Sequence, residues 1–136
     1  MRTVLLDNET VTALADPTHR KHRAVLAHLS GVVARRRKGA ATRTVVPTAV
    51  RVEAGWDRSN PAASAINWFR VADAVLDASA ADIAAEIVNR TGVSVADAHL
   101  GAVIRALSAE EAVVLTSDPK DIVVVSAPKA ITAIRI

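Results

Sequence analysis

The chain has 136 residues, the size of one domain, and 51% of it is hydrophobic, which suits a packed core and argues against disorder. It contains no cysteine, so disulfides, iron–sulfur clusters and thiolate zinc sites are excluded. A net charge of +3 and a pI near 10.0 permit an anionic partner such as nucleic acid without requiring one.

Thr3–Leu6 is a short apolar run that reads as a buried strand, ended by Asp7. Asn8–Ala15 reads as a short helix, broken at Asp16-Pro17. A longer helix is expected from His19 to about Arg36, with Val25, Leu26, Leu29, Val32 and Val33 as its apolar stripe. Arg35-Arg36-Arg37-Lys38-Gly39 closes it, with cations at the negative helix end and glycine beyond. Thr44–Val46 reads as the second strand, and Pro47-Thr48 opens a helix through about Asp57. Ser59-Asn60-Pro61 is a turn, and Ala62–Trp68 is a further helical piece. Val71–Leu76 is the third strand expected, interrupted by Asp73. Ala80–Arg90, closed by Thr91-Gly92, and Val95–Leu107 are helices. Val113–Thr116 is a strongly apolar strand, and Asp118-Pro119 starts a short turn or helix. Val123–Val125 and Ile131–Ile136 are the last strand candidates.

Strands alternating with helices imply a mostly parallel sheet covered on both faces, with ligands beyond the carboxyl ends of the strands. The helix N-termini lie at that same edge. Four acids fall there: Asp7, Glu53, Asp97 and Asp118. At an effective dielectric near 20, each pair about 5 Å apart costs roughly 3 kcal/mol unless a cation joins them. A hard divalent ion such as Mg²⁺ takes oxygen ligands of this kind. Plainer readings exist for each acid. Asp7 is a good helix N-cap. Ser94-Val95-Ala96-Asp97 fits a capping box. Asp118 with Pro119 at the first helical position is a standard helix start, which leaves Asp121 to the first turn. Glu53 lies too far from Thr48 to cap and reads as a solvated helix residue. The joint pattern says more, because serine or threonine would cap as well as aspartate.

Other features are weaker. The aromatic residues, 2% of the chain, are Trp56, Trp68 and Phe69, so a row of stacked aromatics for single strands is not available. The run His19-Arg20-Lys21-His22-Arg23 and the cluster Arg35-Arg36-Arg37-Lys38 suit RNA backbone or an acidic protein tail, but also a solvated helix face. His28 and His99 stand alone, and no phosphate-binding glycine loop is present. The apolar stretch before Asp7 is too short for a signal-peptide core, and no apolar run reaches the ~18 residues of a membrane span. The expectation is a cytoplasmic protein without membrane contact.

Val4-Leu5-Leu6-Asp7, Val52-Glu53-Ala54, the segment Val93-Ser94-Val95-Ala96-Asp97-Ala98-His99-Leu100 and above all Val114-Leu115-Thr116-Ser117-Asp118-Pro119-Lys120-Asp121-Ile122 resemble, in order and spacing, the PIN-domain ribonucleases. The resemblance is closest to the VapC-type toxins of bacterial toxin–antitoxin pairs and covers nearly the whole chain. One departure is Asn8, where the family usually has Thr or Ser; Asn still donates and accepts hydrogen bonds. The resemblance implies a single PIN-like domain over residues 1–136, a three-layer α/β/α sandwich with a central, mostly parallel sheet. It also implies Mg²⁺ or Mn²⁺ at the acidic pocket, RNA as substrate, and products with a 5′-phosphate and a 3′-hydroxyl. Asp7, Asp97 and Asp118 would then hold the metal directly, and Glu53 would act through water or a second ion. Asn8 and Ser117 would orient carboxylates or water, with Asp121 in the same supporting role. A cognate antitoxin and a homodimer are the partners implied.

Two other functions fit the same residues. One is a catalytically inactive PIN-like module that binds RNA or protein while its acids serve only as caps. The other is a phosphoacceptor domain, which needs an acid at the end of the middle strand; with Val71–Leu76 read as that strand, the acid is Asp77.

Overall fold

The computed structural model describes residues 1–107 and 111–136. Its elements are β1 (Arg2–Leu6), α1 (Asn8–Ala15), α2 (His22–Arg37), β2 (Thr42–Pro47), α3 (Thr48–Ala54), a 3₁₀ turn (Pro61–Ala63), α4 (Ser64–Asn67), β3 (Ala72–Ala74), α5 (Ala78–Thr91), α6 (Val95–Ala106), β4 (Glu111–Thr116), α7 (Pro119–Ser126) and β5 (Thr132–Arg135). The five strands form one parallel sheet in the order β3-β2-β1-β4-β5.

The central strand explains why its sequence carries no alternation. Arg2–Leu5 pair with Thr42–Val45 on one side, and Arg2–Leu6 pair with Glu111–Leu115 on the other. Val4 and Leu6 face one core, with Val11 and Leu14 of α1, Val25 and Leu29 of α2, and Val113 and Leu115 of β4. Leu5 faces the other, with Leu100 and Ile104 of α6, Val114 of β4 and Ile122 of α7. Strands covered on both faces are apolar at every position. Leu5 and Leu6 are fully buried, and truncating either to alanine costs about 2–5 kcal/mol. The three layers agree with the sandwich expected from the sequence.

Element ends follow local chemistry. α3 stops at Ala54, short of Asp57, because Gly55 takes the left-handed conformation (φ 68°) that ends the helix. α5 starts two residues earlier than expected, at Ala78, because Asp77 caps it by accepting from the Ala80 N–H at 2.8 Å. α2 begins at His22 rather than His19, since residues 16–21 form a turn held by Asp16.

Two expectations are corrected. Val123–Val125 is not a strand but lies inside α7. Three β-branched residues in a row favour a strand, yet the Asp118-Pro119 start fixes a helix whose Ile122 and Val125 are buried while Val123 and Val124 are exposed. That is helical spacing, and packing overrides propensity. The middle strand is β1, not the third strand. β3 is a three-residue edge strand, so Asp77 does not follow the sheet's centre. The phosphoacceptor reading built on Asp77 loses its premise. No helix among the described residues is long and apolar enough to cross a membrane.

Candidate functional site

Asp7 leaves the carboxyl end of β1 and caps α1. Its Oδ1 accepts the Thr10 N–H at 2.8 Å. The Thr10 hydroxyl lies 2.8 Å from the same oxygen and 2.6 Å from the Leu115 carbonyl; having one proton, it donates to one of them at a time. Thr10 is fully buried and Asp7 nearly so. One threonine thus ties the acid on β1 to the adjacent strand β4.

Asp97 sits in the first turn of α6. The Ser94 hydroxyl oxygen accepts its N–H at 3.2 Å, as the capping-box pattern predicted. Its pKa is raised above the ordinary carboxylate value. Burial is the largest cause, opposed by the Ser94 hydrogen bond and reinforced by the charges of Glu53, Asp7 and Asp121, in that order. Carboxylates from the β1–α1 junction, α3 and α7 therefore lie close enough to act on Asp97 of α6.

The fourth partner in that field is Asp121, in the first turn of α7 and exposed. Asp118, also exposed, caps α7: it accepts the Asp121 N–H at 3.4 Å, and its own N–H donates to the Thr116 hydroxyl at 3.0 Å. Glu53 is exposed on α3. The other carboxylate near Asp7, Glu9, is turned away toward His19 at 3.3 Å and Lys21 at 3.9 Å. Asn8 has a buried Oδ1 with no hydrogen-bond partner among the described residues. Ser117 contributes its carbonyl, which accepts from the Arg135 guanidinium at 3.3 Å.

Two of the ties behind this edge were not singled out from the sequence. Thr10 follows Asp7 by three positions, the spacing at which a side chain meets its own cap, and that spacing was a readable signal. His99 is fully buried on α6, and its Nδ1 accepts the Ala49 N–H of α3 at 3.3 Å. Burial lowers its pKa, although the Val75 carbonyl and Asp77 favour the cation. A neutral imidazole thus joins the helix of Glu53 to the helix of Asp97. The Thr48 hydroxyl adds a second tie by accepting the Leu76 N–H at 3.1 Å.

The donor set suits a hard cation in kind, being carboxylate oxygen throughout, with the unpartnered Asn8 amide oxygen beside it. It is open as it stands: among the described residues, no three acidic or imidazole side chains converge into a ready ligand shell. Beside it runs an apolar groove of about 500 Å³, floored by Ala49, Ala96 and Leu76 and rimmed by Val52, Val95 and Glu53. Val52, Val75 and Val95 are 82%, 66% and 62% exposed, an unusual apolar density for a surface.

No family profile matches the sequence, and no curated protein matches it. Among solved structures, the chain is similar to VapBC2 from Rickettsia felis, determined bound to a DNA fragment from their promoter. The likeness covers 98% of this chain and 98% of that one, with a TM-score of 0.56 and 13% sequence identity. At that identity the likeness establishes the fold: a PIN-like α/β sandwich of the kind found in VapC toxins.

Proposed function

We propose that the chain is a Mg²⁺- or Mn²⁺-dependent endoribonuclease, the toxin of a toxin–antitoxin pair. The observation that carries this reading is the raised Asp97, half-buried in the field of Glu53, Asp7 and Asp121. Folding alone gains nothing from gathering four carboxylates from four elements, and of the four only Asp7 is needed as a cap. A phosphodiesterase centre requires that gathering.

In this reading Asp7 is the fixed ligand, one oxygen immobilised by Thr10 and the other without a hydrogen bond among the described residues. Asp97 is the second ligand. Asp118 is the third, with Asp121 close enough in charge to share or replace it. Glu53, exposed and with no hydrogen bond or ion pair at its carboxylate among the described residues, would engage through water or a second ion. Asn8 and Ser117 orient water and carboxylates at the rim. A bound divalent ion supplies neutralising charge for the phosphate and a water of lowered pKa. The chain's own part is to hold these carboxylates at one edge of the sheet, where that charge would offset their mutual repulsion.

The likeness to VapBC2 supports an antitoxin as partner. The exposed Val52 and Val95, which line the groove with Glu53, suit a covered surface, in keeping with a homodimer. A non-catalytic module is favoured by one observation, that Asp7, Asp118 and the Ser94–Asp97 turn already serve as caps.

One experiment separates the two. Purified protein is incubated with single-stranded and structured RNA in Mg²⁺ or Mn²⁺, beside chelator and Asp97→Asn controls. Cleavage that needs both the metal and Asp97 establishes the nuclease. Cleavage that survives in Asp97→Asn removes that residue from the mechanism. A folded protein that leaves all these RNAs intact refutes the nuclease on them.

A further inference from the structure

At the opposite edge of the sheet lies a cleft of about 520 Å³ between the C-terminus of α2 and the segment leading into β3. Its lining includes Arg36, Arg37, Asn67, Trp68, Phe69 and Arg70, and no acidic residue among the described residues. Arg36 is fixed from two sides: its Nε donates to the Thr42 carbonyl at 3.0 Å and an Nη to the Thr44 hydroxyl at 3.1 Å. Arg37 and Arg70 are exposed. Trp68 is 61% exposed, yet its ring is set perpendicular to the buried Phe69 with centroids 5.2 Å apart. A largely exposed, oriented indole thus stands beside three guanidinium groups, of which Arg37 and Arg70 are exposed.

Arg70 adds a backbone observation. Its φ is +54°, and it is the only non-glycine residue with positive φ among the described residues. Glycine occupies that region freely and arginine does not, so the side chain is kept against a conformational cost.

We propose that this cleft binds a nucleotide of single-stranded RNA, with a base stacked on Trp68 and its phosphates on Arg37 and Arg70. The inference rests on RNA being the substrate and deepens that reading. Guanidinium groups match phosphate geometry, and an aromatic face accepts any base, so the cleft anchors RNA without reading its sequence. One indole serves one base, which the scarcity of aromatic residues allows. The six residues of β2 separate the cleft from the acidic edge by about 20 Å at ~3.3 Å per residue. Only an RNA long enough to cover that span engages both sites.

The test is fluorescence anisotropy with a labelled 20-mer single-stranded RNA in chelator, where nothing is cut. Wild type is compared with Trp68→Ala, Arg37→Gln and Arg70→Gly; the last removes a cation at a position where glycine is unstrained. Trp68→Ala should weaken binding by about tenfold. The double variant Arg37→Gln/Arg70→Gly should lower the slope of log K against log salt by about 1.4, which is ~0.7 for each phosphate contact. In Mg²⁺, the same variants should cut a dinucleotide at the wild-type rate and the 20-mer more slowly.

Wild-type affinity in all variants, or no affinity of the wild type for the 20-mer, overturns the proposal. So does an acidic peptide that binds the cleft more tightly than the RNA, which would make it a protein-docking site. The two readings fail separately. Variants that bind normally while the wild type cuts RNA defeat the cleft alone. Binding that depends on the cleft in a protein that never cuts defeats the nuclease alone.

Discussion

Gly101→Ala sets two magnitudes against each other. In the interior of α6, replacing glycine by alanine gains about 1 kcal/mol of helix propensity. At this position an added Cβ would stand 2.5 Å from the Val125 carbonyl oxygen, 2.9 Å from Val125 Cβ and 3.0 Å from Ile87 Cδ1. Carbon and carbonyl oxygen rest at about 3.3 Å or more, so α7 must retreat by roughly 0.8 Å. Overpacking of this kind costs about 1–3 kcal/mol, and more where backbone rather than a side-chain tip must move. The clash therefore wins, by about 2 kcal/mol at the upper end, or a fall of roughly 4–8 °C in Tm. The same retreat shifts Asp121 on α7 relative to Asp97 on α6, and misplacement near 1 Å is worth up to about 100-fold in rate. Gly31→Ala in α2 is the control: beyond its own helix backbone, no atom among the described residues lies within 4 Å of its added Cβ, so the propensity gain of about 1 kcal/mol stands alone. Urea unfolding of both variants should give opposite signs. A Gly101→Ala protein as stable as wild type would refute the packing of α6 on α7.

Thr10→Val keeps the shape of the buried side chain but removes the hydroxyl that touches Asp7 and the Leu115 carbonyl. A loss of about 1–3 kcal/mol is expected in urea unfolding, and an unchanged midpoint would contradict the role given to Thr10. Asp97 has a folded pKa above its reference value of 3.8, so the folded state holds that proton more tightly than the unfolded state does. Its ionisation penalises the metal-free fold as pH rises past 3.8. Asp97→Asn should then melt higher than wild type at pH 7 in chelator, with the gap closing as pH falls toward 3.8; added Mg²⁺ should raise Tm in wild type only. A gap independent of pH would disprove the coupling. His99 shifts the other way: its folded pKa lies below 6.5, so stability is full above that pH and declines as pH drops beneath it. His99→Gln should flatten the dependence of unfolding free energy on pH between 6.5 and 5, and an unaltered slope would place the acid-sensitive group elsewhere.

The sheet edge was legible because Asp is a cap residue, and caps mark where strands hand over to helices. Asp7, Asp97 and Asp118 could be placed from that rule alone. Glu53 needed the topology, since nothing local separates it from a solvated glutamate. The prominence of Asp121 over Asp118 in the field of Asp97 depends on how α7 is rotated, and rotation is a packing outcome. The same holds for Val123–Val125, whose branched side chains are written for a strand while the buried pair Ile122 and Val125 demands a helix. His99 was passed over because a lone histidine carries no spacing signal; its meaning lies in Ala49, fifty positions away. Strand order was invisible for a similar reason. β1 is flanked by strands distant in sequence, and only the resemblance to PIN domains stood in for that information.

That strand order has a consequence during synthesis. β1 is made before both of its partner strands, finding β2 only 40 residues later and β4 only after 109. At about 5–20 residues per second, Asp7 has waited several seconds or more before Asp121 has even been translated. No nascent chain that stops short of α7 contains all of these acids, so the edge assembles only once its most distant element has been made.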